Sequence, residues 1–239
     1  TGAAEIDTKA VTTGFIKVSA GTFQMGSPGL ETGRSPDELQ HRVRLSYDFE
    51  IQATEVTQGE YKALIGKNPS YIPECGDDCP VEQVSWFEAA HYCNELSRRR
   101  KLPLCTTIAE KEVTWKGVLC GGFRLPTEAE WEFAARGGSK EKRHGPVDEI
   151  AWIDTNSQMK VHVVATKEPN GYGIFDMLGN VFEWTWDWQG EYRKEPAADP
   201  TGPPSGDNKV FRGGAYRWTA NEARHAFRNA YGPLNKVEF

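Results

Sequence analysis

The sequence predicts an α+β domain of short helices, short strands and long ordered loops, and three observations predict it. Twenty-four Gly and 14 Pro in 239 residues leave room for few long elements. Eight Trp, eight Tyr and 11 Phe supply a packed core, which argues against disorder. Three hydroxyl-x-x-Glu capping boxes mark three helix starts in the first half, Thr57-Gln-Gly-Glu60, Ser85-Trp-Phe-Glu88 and Thr127-Glu-Ala-Glu130. The length suits one large domain, and no shift of composition marks a second. Residues 15–239 are therefore read as a single domain behind a small, polar, flexible lead over 1–14.

The elements follow in chain order. Phe15-Ile-Lys-Val-Ser19 and Thr22-Phe-Gln-Met25 read as strands around Ala20-Gly21, and Val43 to Ile51 as another. The first helix carries Tyr61, Leu64 and Ile65 and stops at Gly66 and Pro69. The second runs to about Arg98, with Trp86, Ala89, Ala90, Cys93 and Leu96 on one face. The third carries Trp131, Ala134 and Ala135 and ends at Gly137-Gly138. From Ile150 onward, dense Trp, Gly, Asn and Pro indicate short strands held by long loops.

Cysteine usage speaks to compartment. Cys75-Gly-Asp-Asp-Cys79 reads as a stapled turn, because two acidic residues between the thiols raise their pKa and disfavour redox reactivity. Cys105 and Cys120 bracket a hairpin-like segment that a second bridge would tie. Cys93 is left over as a buried free thiol. Two bridges imply an oxidising compartment, periplasmic or secreted. The spacings lack the paired Cys-x-x-Cys or His-x-x-x-His of a zinc site.

Charge and motifs exclude several classes of function. A net charge of −6 gives no general attraction to nucleic acid or anionic membranes. No run approaches the ~18 apolar residues of a spanning helix. The five histidines lie far apart with no recognisable Ser-His-Asp grouping, and Gly121-Gly122 lacks the Lys-Ser/Thr of a phosphate loop. Two constellations remain. Asp176 and Glu183 flank the Gly179-Asn180 turn, an arrangement of hard oxygen donors that suits calcium, or else Glu183 simply accepts N–H bonds from its own loop. Phe211 to Trp218, followed by Arg224, His225 and Arg228, mixes aromatic and guanidinium groups suited either to stacking on a ligand or to internal ion pairs.

Six stretches in order then carry a resemblance: the strand and turn from Phe15 to Gly26, Thr54-Glu-Val-Thr57, Pro80 to Trp86, Phe123 to Arg136, Leu178-Gly-Asn-Val-Phe-Glu-Trp184, and Arg212-Gly-Gly-Ala-Tyr216. Together they resemble the formylglycine-generating enzyme, or sulfatase-modifying factor, family. The resemblance implies a C-type-lectin-like fold and one calcium ion held by the side chains of Asp176 and Glu183 with the carbonyls of Gly179 and Val181. A second calcium of that family is not carried over, since the loop between Trp152 and Lys167 is short. A closing Gly-Phe-Arg strand is expected beyond Phe239. The family oxidises a substrate cysteine through two copper-binding cysteines, and the matching positions here hold Trp218 and Ala223. Neither ligates Cu(I), so no copper and no formylglycine generation are expected.

The resemblance further implies a binding surface after Arg212-Gly-Gly, at Tyr216, Arg217, Trp218, Asn221 and Glu222; the residues themselves add Arg228, and an open groove lined by Trp186, Trp188 and Trp218 would favour small-ligand or peptide binding. The leading expectation is an extracytoplasmic module that binds a small molecule, peptide or protein. The alternatives are a copper-independent tailoring oxidoreductase and a structural module of an envelope assembly.

Overall fold

A computed structural model of the chain describes residues 14–109 and 112–236; most of the expected lead lies outside them. The three boxes cap three helices as read: α1 (Gln58–Ile65), α2 (Trp86–Arg99) and α3 (Glu128–Arg136). In each, the hydroxyl accepts from the N3 amide while the N3 Glu accepts from the cap amide, satisfying two donors the helix itself cannot. Gly66 and Gly137 close α1 and α3 in the left-handed conformation, at φ 84° and 51°. A one-turn helix, α4 (Val147–Ile150), starts after Pro146 and was not anticipated.

Among the described residues ten short strands form four small sheets: β1 (Phe15–Val18), β2 (Gly21–Met25), β3 (His41–Leu45), β4 (Phe49–Gln52), β5 (Thr106–Ala109), β6 (Glu112–Trp115), β7 (Glu183–Trp188), β8 (Ala197–Ala198), β9 (Lys209–Arg212) and β10 (Arg228–Tyr231). The stretch 43–51, read as one strand, is two. It breaks at Ser46–Asp48 because those residues bond elsewhere: Ser46 donates to Asp199, and Asp48 accepts from the amide of Ala20 and pairs with Lys17. β4 then pairs with β1, while β3 lies between β2 and the distant β8, parallel to the latter. β7, β9 and β10 make an antiparallel sheet, and β5–β6 a hairpin. The second half thus mixes two sheets with long loops, as its composition indicated.

The core gathers around α3, all nine residues of which are buried. Trp131, Ala134 and Ala135 meet Met25, Val43 and Leu45 from β2 and β3, and Ile174, Met177 and Leu178 from the loop before β7. A second cluster joins Trp86 and Ala90 of α2 to Trp184 and Phe211. β7 is enclosed on both faces: Thr185 and Asp187 are buried on one, and its indoles pack against α2 and the hairpin on the other.

Both expected disulfides are present, Cys75–Cys79 and Cys105–Cys120, with Cα atoms 5.9 Å and 5.6 Å apart. Cys93 is free, but it is partly buried rather than sealed in the core, because α2 turns it toward a cleft. Among the described residues no helix is long and apolar enough to cross a membrane.

Candidate functional site

The loop 176–183 is built on left-handed turns at Asp176 (φ 54°), Gly179 (φ 80°) and Asn180 (φ 55°). At Gly179 only glycine fits, since a Cβ would stand 2.4 Å from the carbonyl oxygen of Trp152. Asn180, fully buried, is the hub: its amide nitrogen donates to Glu55 Oε2 (2.7 Å) and to the carbonyl of His162, and its Oδ1 accepts from the His162 amide. Glu55 Oε1 accepts from the Val181 amide at 2.9 Å. Asp176 accepts from the Ala165 amide (2.6 Å) and Glu183 from the Trp131 indole (3.2 Å).

Three carboxylates therefore crowd one interior. Burial pushes Asp176 up to about 6 and Glu183 up to about 7, the latter with added repulsion from Asp176. Glu55 is raised well above the carboxylate range by burial and then by both neighbours. Asp176 and Glu183 are the side chains here that could hold a hard cation, since anionic oxygens are calcium's preferred donors. Among the described residues no three acidic, His or Cys side chains converge to chelate a metal unaided. Asp176 and Glu183 would hold the ion with backbone carbonyls, and Glu55, bound to the loop's N–H groups, would set the loop's shape. Glu55, within Thr54-Glu-Val-Thr57, has no local signal of this role in the sequence, because 125 residues separate it from Asn180.

Arg212 anchors the second constellation. Its guanidinium donates to Glu128 (3.0 Å), Glu132 (2.5 Å) and the carbonyl of His225 (2.7 Å). Gly213 and Gly214 adopt φ 100° and 81°, and the chain stays buried until it surfaces at Arg217. Tyr216 is 2% exposed, its amide bonded to Asn180 and its carbonyl to Ser157. Arg217 is exposed, its guanidinium over the Tyr216 ring at 5.2 Å. Trp218 is half-buried, edge-on to Phe182 at 5.3 Å and near Phe227 at 6.4 Å. Asn221 is exposed, Glu222 half-buried and bonded to Thr219, and Ala223 fully buried.

Arg224 and Arg228 are internal struts. Arg224 grips Glu31 (2.7 Å) and Glu38 (2.7 Å), and Arg228 forks onto Glu128 with two bonds of 2.8 Å. Of the residues expected at the binding surface, Arg228 and Tyr216 are thus turned inward. Arg217, Trp218 and Asn221 remain outside, with Glu222 beside them.

Trp186 and Trp188 do not share that surface. They line a separate pocket of about 350 Å³ between hairpin β5–β6 and the Thr201–Pro204 loop. Behind them the Lys209 ammonium, 1% exposed, lies over Trp188 (3.9 Å), Trp86 (4.1 Å) and Trp186 (4.8 Å) and donates to the Trp186 carbonyl. Burial draws Lys209 down to about 7 against the pull of Asp187, while the three indole faces favour its charged form. A larger cleft, about 740 Å³, opens between the β1–β4 pair, α2 and the 118–126 loop. Leu102 and Leu119 are exposed among its lining residues, and Cys93 lines it, its thiol pushed up to about 12 by burial.

The fold and these two sites define a disulfide-stapled α+β scaffold in which one rigid interior carries a loop-built outer face. The sulfatase-modifying factor enzyme 1-like domain family matches residues 2–238, and the chain belongs to it. It is 31% identical over 78% of its length to the chaperone protein LppX of Paenibacillus barcinonensis, covering 77% of that protein. To the formylglycine-generating enzyme of Streptomyces coelicolor it is 28% identical over 86% of its length, covering 79% of that enzyme. Among solved structures it superposes on Treponema denticola variable protein 1 with a TM-score of 0.85 at 31% identity, covering 93% of this chain and 91% of that one.

Proposed function

We propose that the chain is an extracytoplasmic binding module that keeps the family's scaffold without its cysteine oxidation chemistry. One observation carries the reading: Trp218 and Ala223 stand where the resemblance places the copper thiolates, and both are built into the fold. Trp218 joins an aromatic cluster with Phe182 and Phe227, and Ala223 is fully buried in the core around α3. No thiol pair can form there, so a Cu(I) centre of that kind has no ligands. On this turn Arg217 and Asn221 are exposed and Trp218 is half-buried, a charged, an amide and an aromatic side chain. Such a set binds through stacking and hydrogen bonding. The turn rests on the Arg212 and Arg224 ion pairs, so its shape is fixed before any ligand arrives.

Calcium belongs to the same reading. One ion held by Asp176 and Glu183 with the carbonyls of Gly179 and Val181 would brace the loop that supports the turn through the Tyr216–Asn180 bond. Two disulfides support an oxidising compartment, periplasmic or extracellular. The ligand is a small molecule, peptide or protein. The test is direct: incubate the protein with a Cys-x-Pro-x-Arg peptide, copper and oxygen, and follow the peptide by mass. An unchanged cysteine is expected. Loss of roughly 18 Da at that residue, thiol to aldehyde, refutes the reading, since that chemistry requires the thiolates.

A further inference from the structure

Resting on the proposal that the turn from Arg217 to Glu222 is a binding surface, we infer that its ligand is anionic and that Arg143, at the Ala220–Ala223 end of the turn, receives the ligand's carboxylate. The partner this fits is a peptide or protein that presents an Asp or Glu side chain.

Arg143 lies in the segment before α4, and its Nε donates to the carbonyl of Ala223 at 2.7 Å while its Nη2 donates to the carbonyl of Ala220. These two atoms form one edge of the planar guanidinium. The other edge, Nη1 with the second proton of Nη2, has no acceptor among the described residues. Arg143 is half-buried, and Nη1 is not sealed from solvent, so that edge is open to a ligand. Two parallel N–H groups of this kind match the two oxygens of a carboxylate. The charge also lacks a counter-ion. Arg124, Arg136, Arg212, Arg224 and Arg228 each hold a carboxylate, whereas Arg143 holds carbonyls. Among the described residues Glu31 is the acid that acts on it, and Glu31 is bonded to Arg224 at 2.7 Å. Burial, and then repulsion from Arg224, draw Arg143 below the usual arginine range. A partly desolvated guanidinium in that position is stabilised by an anion that a ligand brings.

The guanidinium is held in place before a ligand arrives. The two residues before it are pinned to His225: the carbonyl of Lys142 accepts from the His225 amide at 3.0 Å, and that of Glu141 accepts from its ring Nδ1 at 3.0 Å. The turn is held from its other side, where Arg224 Nε donates to the carbonyl of Asn221 at 2.6 Å. The turn's own acid, Glu222, is bonded to Thr219 at 2.6 Å. A donor edge fixed in advance lowers the ordering cost of binding.

The experiment is nitrogen-edited NMR on the full chain, reading backbone amides and arginine Nε–H signals during titration with acetyl-Gly-Glu-Gly amide and its uncharged isostere acetyl-Gly-Gln-Gly amide. The Glu peptide should bind about tenfold more tightly than the Gln peptide, as a charge-assisted bond predicts. It should shift the Arg143 Nε–H signal together with the amides of Asn221 and Glu222. Arg143→Gln should erase the preference for the Glu peptide. Because that variant also releases two carbonyls of the turn, Arg143→Lys is the control: it too gives up the fork onto both carbonyls but keeps the charge, and it should retain a preference of several-fold. A silent Arg143 signal, or equal loss of the preference in Arg143→Lys and Arg143→Gln, would overturn the assignment. Equal binding of the two peptides with shifts at Trp218 and Asn221 would overturn it while leaving the turn a binding surface; aldehyde formation in the copper assay strikes that broader reading instead.

Discussion

Glu128 and Glu132, one turn apart on α3, hold three guanidinium groups between them: Arg136, Arg212 and Arg228. All five side chains are at most 8% exposed. Taking such charges from water is costly, and only mutual pairing offsets it. Glu128→Ala should therefore cost about 3–5 kcal/mol in urea unfolding, because Arg228 loses its bidentate partner inside the protein. Adding Arg228→Met should recover much of the loss, since the penalty belongs to the stranded charge. A single-variant cost below about 1 kcal/mol would refute this account. His225 offers a second residue-level test. It is fully buried, within 3.3 Å of His144, and burial with the nearby Arg136 and other positive groups draws it down to about 3. His144 is lowered as well, again first by burial. The unfolded chain binds these protons below its ordinary value of 6.5 while the folded chain does not, so stability is complete above that pH and falls as pH drops through it. Between pH 6.5 and 5 His225 contributes a slope of up to about 1.4 kcal/mol per pH unit, and His144 adds in the same direction. His225→Gln should flatten the pH dependence of the melting temperature in that window; an unchanged slope would mean the imidazole is protonated in the fold.

Elements differ in how plainly the sequence announces them. The helices were legible because a capping box is local: hydroxyl and Glu three residues apart, with Gly at the far end of α1 and α3. Both disulfides were legible for the same reason, since each closes a short segment. The break of 43–51 into β3 and β4 was not, because it depends on Asp199, more than 150 residues away. Nor was the inward turn of Arg228, which depends on Glu128, 100 residues upstream. At the site, Asp176 and Glu183 could be picked out around their turn, whereas Glu55 and the Trp186–Trp188 pocket arise from chain pairings that no local spacing encodes. Hairpin β5–β6 yields a prediction at this scale. Its disulfide closes a loop of 15 residues, and opening it by Cys105→Ala with Cys120→Ala should cost about 3 kcal/mol in chemical denaturation through the freedom restored to the unfolded chain. No change in the denaturation midpoint would show that the β5–β6 pairing alone fixes the segment.

For the whole molecule, the loop 176–183 is a junction. Through Asn180, Asp176 and Glu183 it ties Glu55, Ala165, Trp131 and Tyr216, residues from four separate regions of the chain. An ion bound there would stabilise every one of those junctions together. At about one hundred times its dissociation constant, calcium would add roughly 2.7 kcal/mol. Chelator should therefore lower the melting temperature of the parent, and Glu183→Gln should shrink the difference between calcium and chelator. Identical melting of the parent in both conditions would leave the carboxylates serving their own loop alone. The central strand β3 carries another consequence, one of timing. Its parallel partner β8 lies about 155 residues later, and the clamp of Arg224 on Glu38 spans 186. Contacts between such distant positions make folding slow. At ribosomal speeds of about 5–20 residues per second, roughly 10–30 s separate the synthesis of Val43 from that of Ala197. Throughout that interval β3 has one open edge and Glu38 has no guanidinium, so the nascent chain is most prone to aggregate before Ala197 and Arg224 have been made.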